Sequence, residues 1–390
     1  MNIPFAKVDC SGNEAEYVTK VLASGWLTTA GVAAEFEKRF ADMVGGSFAC
    51  AVNSCTAALH LGLEALDVGP GDKVLVQSMT FTSSAEVIRY LGADPIFLDC
   101  DPLTRLITPE IVAHALDTHP DAKALVVVHF GGQAACMADV DGKPGILSLC
   151  KAKGVKILED AAHAFPTRHA GKRIGSFGDV TCFSFYANKT ITTGEGGMVV
   201  TEDKDIFTRV KTMRLHGINR DIWDRFTAKK ANWEYDVVAP GYKYNMPDVN
   251  AAIGLAQLER AEEFRQKRED CCRYYHKHLA GIDCLELPGL TCEWSDHACH
   301  LYPVILTENT PIFRNDFINA LADKGISTSV HYKPLHRMTY YREHYGLKPE
   351  DFPNTERIWK GTVSLPVYTE LKGEELEYIC KSIREILTSE

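Results

Sequence analysis

Residues 183–200 read Phe183-Ser184-Phe185-Tyr186-Ala187-Asn188-Lys189-Thr190-Ile191-Thr192-Thr193-Gly194-Glu195-Gly196-Gly197-Met198-Val199-Val200. Two apolar strands flank a turn that is rich in threonine and glycine and carries one lysine, Lys189. A lysine amine attacks a carbonyl carbon when a desolvated or cationic setting lowers its pKa. The stretch therefore predicts either a nucleophilic lysine at a strand end or a surface hairpin with a solvated lysine. Three other segments favour the nucleophile.

One of them ends in a carboxylate and a histidine and reads Val155-Lys156-Ile157-Leu158-Glu159-Asp160-Ala161-Ala162-His163. In an open α/β sheet, ligands bind beyond the carboxyl ends of the strands, and Asp160 is expected there. A buried carboxylate needs a partner. The pyridinium nitrogen of pyridoxal phosphate is such a partner, because a carboxylate beside it keeps the ring protonated. The alternatives are that Asp160 caps a following helix and that His163 is a core histidine.

Residues 49–63 have the pattern of a strand, a turn of small polar residues and a helix. The free N–H groups and the positive dipole end of a helix form an anion site. The small side chains of Cys55, Thr56 and Ala57 would let a phosphate reach those groups. The alternative is an ordinary N-cap by Ser54 or Thr56.

Residues 74–85 repeat the order of strand, turn and helix, with Phe81 in the turn. An aromatic side chain at this place can cover a flat ring by offset stacking. The alternative is that Phe81 packs in the core, as aromatic residues at strand ends often do.

The first two hundred residues alternate between strand and helix patterns. Strands are expected at 48–53, 74–77, 95–99, 123–130, 155–159, 179–185 and 197–201, and helices at 55–66, 83–91, 109–117 and 140–153. This order predicts an α/β domain with a mostly parallel central sheet flanked by helices. The last two strands leave little room for a helix between them, so they are expected to be antiparallel or joined by a cofactor loop.

A smaller C-terminal α+β domain is expected after a long helical pattern that runs from Pro247 toward Leu279. Its predicted elements are strands at 299–306 and 326–331 and helices at 312–324 and 373–387. We therefore predict a large domain over residues 1–260 and a smaller domain over residues 261–390.

Composition excludes several classes of partner. The net charge is −10 and no basic stripe alternates with aromatic residues, so nucleic acid is not an expected partner. No signal peptide or bilayer-spanning apolar run is visible, so no membrane association is expected. The thirteen scattered cysteines suit reduced thiols in a cytoplasm. Cys271-Cys272 and residues 296–300 lack a second ligand pair at zinc-finger spacing, and no metal is expected.

Taken in order, these segments resemble one family, the DegT-type nucleotide-sugar aminotransferases, which are pyridoxal-phosphate enzymes of the aspartate aminotransferase fold (fold type I). The resemblance extends over nearly the whole chain, and its further motifs are Ser24-Gly25-Trp26-Leu27-Thr28-Thr29, Gly69-Pro70-Gly71-Asp72, Gly175-Ser176-Phe177-Gly178-Asp179, Gly241-Tyr242-Lys243-Tyr244-Asn245, His331-Tyr332-Lys333-Pro334-Leu335-His336 and Ser364-Leu365-Pro366. The motif at 241–245 is most similar to that of the bacterial enzymes that aminate a 4-keto sugar on a nucleotide.

The resemblance implies a role for each residue singled out above. Lys189 would bind the pyridoxal phosphate covalently and move protons, Asp160 would keep the ring nitrogen protonated, and His163 would lie near the ring face or its oxygen. Ser184 would reach the cofactor phosphate together with three residues of the first turn, Cys55, Thr56 and Ala57. Phe81 would cover the ring.

Two positions depart from the commonest family pattern. Lys243 and Asn245 stand where many members have asparagine and arginine in a loop that reaches the phosphate of the neighbouring subunit. The resemblance therefore implies a homodimer with shared active sites, in which either residue makes that contact. The other departure is Cys55, at a position often held by glycine, which would narrow the pocket.

The sugar nucleotide is expected to contact two further polar segments, through Thr28 and Thr29 in one and through His331 and Tyr332 in the other. The implied reaction moves an amino group, with L-glutamate as donor, to a nucleotide-linked keto sugar. The product would be an amino sugar for surface polysaccharide such as lipopolysaccharide O-antigen, or for a secondary metabolite. Two alternatives remain: a pyridoxal-phosphate sugar dehydratase, whose family members carry histidine in place of the lysine, and a non-enzymatic regulator of the same fold.

Overall fold

The computed structural model describes residues 1–219 and 235–388. Its N-terminal part contains nine strands, which are β1 (Phe48–Val52), β2 (Lys73–Gln77), β3 (Asp94–Leu98), β4 (Ala122–Val128), β5 (Lys156–Asp160), β6 (Arg168–His169), β7 (Lys172–Arg173), β8 (Val180–Ser184) and β9 (Gly197–Thr201). Seven of these described strands form one sheet in the order β1-β9-β8-β5-β4-β2-β3, and β6 pairs with β7 in a separate hairpin.

The strand directions gather the predicted site residues at one edge of the sheet. Strands β3, β2, β4, β5 and β8 are parallel, whereas β9 is antiparallel to both β8 and β1. The antiparallel pairing of β8 with β9 confirms the prediction made from their short separation. Consequently β1 points the same way as β8, and the carboxyl ends of β1, β2, β4, β5 and β8 meet beside the start of β9.

Helices cover both faces of this sheet. They are α1 (Glu14–Ser24), α2 (Gly31–Val44), α3 (Cys55–Ala65), α4 (Ser83–Tyr90), α5 (Pro109–Thr118), α6 (Ile146–Lys153) and α7 (Lys204–Met213). Successive residues of β2 lie in different cores: Val74 and Val76 pack with residues of α3, whereas Leu75 packs with residues of α5 and α6. A strand that is apolar on both faces is typical of a covered parallel sheet.

The C-terminal part is built around a small antiparallel sheet. Its elements are α8 (Asp248–Glu259), α9 (Ala261–Leu279), β10 (Leu285–Glu286), β11 (Tyr302–Leu306), α10 (Arg314–Asp323), α11 (Thr339–Tyr345), α12 (Pro353–Gly361), β12 (Thr362–Leu365) and α13 (Gly373–Thr388). The sheet order is β10-β11-β12. Two sheets of these types confirm the predicted fold class. The division between residues 260 and 261 stays a prediction, and Ile3 packs in the core of the C-terminal part.

Two predicted helical segments were wrong in extent. The helix expected at 140–153 begins only at Ile146, because Val140 and Lys143 pair across a turn and Pro144 disfavours helical backbone at Lys143. The helical pattern after Pro247 is two helices, with a break at Arg260. There, the guanidinium group turns to the Asp9 carboxylate, 3.1 Å away.

The strand expected at 326–331 is replaced by two isolated bridges. Ser327 N–H donates to Ile3 C=O, whereas Ser329 exchanges two backbone hydrogen bonds with Ser364 on β12. The segment therefore joins the N-terminal residues to the small sheet instead of adding a continuous strand to it.

Candidate active site

Lys189 lies in the turn that follows β8, at the carboxyl edge of the large sheet. The turn is held by hydrogen bonds from Lys189 N–H to Tyr186 C=O and from Thr192 Oγ1 to Phe185 C=O, both 3.0 Å long. Burial lowers the pKa of Lys189 to about 8, although Asp160 and the Cys55 thiol act in the opposite direction. A half-buried lysine with a lowered pKa differs from the solvated lysine of a surface hairpin.

Asp160 ends β5 and is 4% exposed. Ser84 Oγ donates to its Oδ2 at 2.7 Å, and Ala162 N–H donates to its Oδ1 at 3.1 Å. Burial raises the pKa of this carboxyl, and these two hydrogen bonds, together with Lys189, lower it again. No helix starts within the described residues directly after Asp160, so its interpretation as a helix cap does not hold.

His163 is neutral and belongs to the same site. Burial, together with Lys189 and His331, holds its pKa well below the usual value. Gly131 N–H donates to His163 Nδ1 at 3.2 Å. The ring proton is therefore assigned to Nε2, which contacts the Tyr332 hydroxyl at 3.0 Å. An imidazole held at both nitrogens keeps one orientation, as a residue against a flat cofactor ring must.

The start of α3 provides a place for a phosphate. Ser54 caps the helix and accepts from Ala57 N–H, while the N–H groups of Cys55 and Thr56 have no hydrogen-bond partner among the described residues. The Cys55 thiol is neutral, because burial raises its pKa. The N-cap alternative and the anion site are therefore compatible, since capping by Ser54 leaves two donors free.

Ser184 and Gly197 bring β8 and β9 against this turn. The two residues are paired across the strands. A Cβ atom on Gly197 would lie only 2.6 Å from the Ser54 carbonyl group, so glycine is required for this approach. The Ser184 hydroxyl accepts weakly from Tyr186 N–H at 3.4 Å, which leaves its own proton for a ligand.

Phe81 is 54% exposed, so its interpretation as a core residue is wrong. Its ring centroid is 5.8 Å from that of Tyr332, which in turn contacts His163. Phe81, Tyr332 and His163 thus form a continuous aromatic wall beside Asp160 and Lys189.

The remaining predicted contacts form a separate chain of hydrogen bonds. Lys243 Nζ donates to Asn245 Oδ1, Asn245 Nδ2 donates to Thr29 Oγ1, and Thr29 Oγ1 donates to Met246 C=O. Thr28 is exposed beside them. Among the described residues, no hydrogen bond joins this group to Asp160, His163 or the Lys189 amine.

His331 faces a different partner from Tyr332. Its Nδ1 contacts Ser364 Oγ at 2.8 Å, and the side chain is 9% exposed. Burial and the nearby Lys189 lower the pKa of His331 to about 3, so the ring is neutral. Only its other nitrogen is left for a ligand. The predicted roles of all these residues toward a sugar nucleotide stay predictions.

Two residues of the site were not singled out from the sequence. Ser84 holds Asp160, and its spacing of four residues from Thr80 on a helix start was the available signal. His300 was considered only as part of a metal cluster, yet its ring centroid is 4.5 Å from that of His163, and its buried Nδ1 has no hydrogen-bond partner among the described residues. No sequence spacing relates His300 to a site more than a hundred residues earlier.

The residues at the carboxyl edge of the large sheet fit pyridoxal phosphate. A half-buried amine, a buried carboxylate, an aromatic wall and two free helix N–H groups match its aldehyde, ring nitrogen, ring face and phosphate. In residues 1–219 and 235–388, no cluster of three or more His, Cys, Asp or Glu side chains could hold a metal ion. Over the same residues, no helix is long and apolar enough to cross a membrane.

Comparisons with known proteins agree with this fit. The sequence model of the DegT/DnrJ/EryC1/StrS aminotransferase family matches residues 9–384. The spore coat polysaccharide biosynthesis protein SpsC of Bacillus subtilis is 40% identical over 387 residues, which cover 99% of this chain and 97% of SpsC.

Solved structures of two proteins share the fold over its full extent. The putative sugar aminotransferase Spr1654 of Streptococcus pneumoniae, in its pyridoxamine-phosphate (PMP) form, has a TM-score of 0.88 and 32% identity, with 99% of each chain covered. Its pyridoxal-phosphate (PLP) form is equally similar in fold, with a TM-score of 0.88. PseC of Helicobacter pylori, an aminotransferase involved in the biosynthesis of pseudoaminic acid, has a TM-score of 0.88 and 25% identity over the whole of both chains.

Proposed function

The chain belongs to the DegT/DnrJ/EryC1/StrS aminotransferase family, and we propose that it transfers an amino group from L-glutamate to a keto sugar carried on a nucleotide. Its cofactor is pyridoxal 5′-phosphate. The observation that carries the proposal is the pairing of Lys189, whose pKa is lowered to about 8, with the buried carboxylate Asp160 at one sheet edge. The presence of lysine argues against the sugar dehydratases, which resemble this chain but carry histidine there.

The cofactor supplies an electron sink that makes the α proton of the amino donor removable. In the proposed mechanism, Lys189 Nζ would take that proton from the donor's α carbon as general base and give it up again as general acid. When the cofactor is bound, Asp160 would keep its ring nitrogen protonated, and His163 and Phe81 would pack against its ring. The N–H groups of Cys55 and Thr56 and the Ser184 hydroxyl would hold the phosphate. The same steps in reverse deliver the amino group to the keto carbon of the sugar.

A nucleotide-linked sugar is proposed because relatives act in sugar pathways. SpsC is a spore coat polysaccharide biosynthesis protein, and PseC is involved in the biosynthesis of pseudoaminic acid. For this chain we propose amino-sugar synthesis for a surface polysaccharide such as O-antigen, or for a secondary metabolite. A cytoplasmic location is proposed because the scattered placement of the thirteen cysteines along the sequence suits reduced thiols.

The direct test is a screen of nucleotide keto sugars. Purified holoenzyme is incubated with L-glutamate and a panel of 4-keto sugars on different nucleotides, and amination is read by mass spectrometry, with Lys189→Ala as the matched control. At least one member should gain an amino group with release of 2-oxoglutarate. Conversion of the free keto sugars but not of the nucleotide forms would contradict the nucleotide linkage.

A homodimer with shared active sites is part of the proposal. Three large apolar side chains flank the site residues and are exposed: Leu27 (47%), Phe81 (54%) and Tyr186 (48%). Such exposure in an isolated chain is expected if a second subunit covers these side chains in the dimer. Within its own chain, the Lys243–Asn245 segment lies beside Val52 and Asn53 at the end of β1. The partner subunit would receive the Lys243 or Asn245 side chain at its phosphate.

Subunit mixing tests whether the active sites are shared between subunits. Lys189→Ala and a double variant, Lys243→Ala with Asn245→Ala, are each expected to be inactive. Mixed under conditions that exchange subunits, they should recover roughly a quarter of the parent activity, because half of the dimers are hybrids with one intact site each. Activity is measured after exchange has been confirmed by mass spectrometry of differently tagged subunits. Exchange without any recovery would place this loop in the active site of its own subunit.

A separate prediction concerns recognition of the sugar nucleotide. Thr28→Ala is expected to raise the KM for the sugar nucleotide about fivefold, the effect of losing one ordinary hydrogen bond. The half-reaction with glutamate and the visible absorption of the bound cofactor should stay unchanged, because Thr28 is exposed and, among the described residues, makes no hydrogen bond to Asp160, His163 or Lys189. Tyr332→Phe should change both half-reactions, since its hydroxyl also contacts His163. An unchanged KM in Thr28→Ala would exclude this threonine from the sugar-nucleotide site.

A further inference from the structure

A single turn of the chain contacts both the flat wall of the site and its buried carboxylate. The turn runs from Thr80 to Ser84 at the start of α4, with Phe81 at its tip. Ser84 N–H donates to Phe81 C=O at 3.2 Å, which closes the turn. Thr80 and Ser84 are 2% and 0% exposed, so both hydroxyl groups must be satisfied by the protein.

The direction of each hydrogen bond in this turn follows from Asp160. An ionised carboxylate only accepts, so the Ser84 hydroxyl proton is used in the 2.7 Å bond to Asp160 Oδ2. The Thr80 and Ser84 oxygens are 2.9 Å apart, and with the Ser84 proton already used, Thr80 must be the donor between them. The result is a relay of two hydroxyl groups that ends on the carboxylate.

Among the described residues, one further donor reaches the Asp160 side chain, Ala162 N–H. The titratable groups that face Asp160 are Lys189 and His129, which favour its charged form, and Cys55, Cys182 and Tyr332. Burial raises the pKa of the last three, so they stay protonated and neutral and place no negative charge beside Asp160. Among the hydrogen bonds and charges that favour ionised Asp160, the bond from Ser84 has the largest effect on its pKa.

We propose that Ser84 is a positioning residue for the aminotransferase reaction, and that the relay from Thr80 through Ser84 keeps Asp160 ionised and correctly oriented toward the ring nitrogen of the cofactor. Without the relay, the proton shared between the ring nitrogen and Asp160 shifts to the carboxylate. The neutral ring then withdraws electrons less well. The inference rests on the family's pyridoxal-phosphate chemistry and does not depend on the identity of the sugar substrate.

The experiment uses holoenzyme loaded with cofactor that carries nitrogen-15 in its ring, and needs no sugar. In the parent protein at neutral pH, the ring-nitrogen chemical shift should be that of a protonated ring. In Ser84→Ala it should move toward the unprotonated value at the same pH. Ser83→Ala is the matched control, since Ser83 is also buried on α4 but makes no hydrogen bond to Asp160.

The rate of the glutamate half-reaction gives a second readout. Ser84→Ala should lower it about tenfold at saturating glutamate, with less than a twofold change in the glutamate KM, because the lost bond was to a charged group. Thr80→Val, which keeps the shape but removes the donor, should show a smaller change in the same direction, and Thr80→Ser should match the parent.

An unchanged ring-nitrogen shift in folded, cofactor-bound Ser84→Ala would overturn the proposal. Should Ser84→Ala fail to fold, the comparison of Thr80→Val with Thr80→Ser decides, and equal shifts in those two variants would likewise overturn it. A failure of the proposed sugar substrate appears only in the product screen and leaves these measurements unaffected.

Discussion

Lys189→Ala is expected to lower the rate of amino transfer by at least about a thousandfold, because one side chain both anchors the cofactor and moves the proton. The turn that carries it is held by backbone contacts and by threonine hydroxyls, so the variant should fold. Burial lowers the pKa of the amine to about 8, which makes the site an unfavourable place for the charged form. Removing that amine is therefore not expected to destabilise the protein without its cofactor.

The measurement is the single-turnover rate with glutamate together with the visible absorption of the lysine-bound cofactor, which should disappear in Lys189→Ala. Lys172→Ala on the exposed β6–β7 hairpin is the matched control and should keep both. In the parent protein, the rate of covalent cofactor attachment should rise with pH through about 8, since only the neutral amine reacts. A variant that kept substantial turnover would refute the assignment of Lys189.

Much of the large sheet was predictable because its strands are apolar on both faces. Val74, Leu75 and Val76 alternate between two cores, so the run is continuous and its length marks a strand. The antiparallel pairing of β8 with β9 was predictable because the segment between the two strands is too short to hold a helix. The break at Arg260 was not, because it depends on Asp9, a residue about 250 positions earlier in the chain.

The candidate site also contains residues that were predictable from the sequence and contacts that were not. Asp160, Lys189 and the start of α3 follow strands directly, and the geometry of parallel sheets places such residues at one edge. The contacts that support them join distant segments: Ser84 with Asp160, Tyr332 with His163, and His300 with His163. Each depends on how the elements pack together, and a single sequence carries no pattern for that.

Asp160→Asn is expected to slow removal of the donor's α proton by about 10²–10³-fold, the usual effect of deleting one preorganised electrostatic group. The structure indicates that the loss of rate should come from the missing negative charge and not from missing hydrogen bonds. Asparagine Oδ1 can still accept from Ala162 N–H, while its amide can donate to Ser84 Oγ if the Thr80–Ser84 relay reverses direction. Every hydrogen bond then survives and only the negative charge is removed.

The stability consequence has the opposite sign to the catalytic one. Burial raises the pKa of Asp160, so the ionised carboxyl costs folding free energy above the pKa that it has in the unfolded chain. Without cofactor, Asp160→Asn should therefore have an equal or higher melting temperature at neutral pH. For the decisive measurement, this variant is loaded with a cofactor methylated at its ring nitrogen, and its reaction rate is determined. The methylated nitrogen carries a fixed positive charge and needs no carboxylate to keep it. A substantial rise in rate over the variant with ordinary cofactor would assign Asp160 to the electron sink, whereas no rise would make it a structural residue.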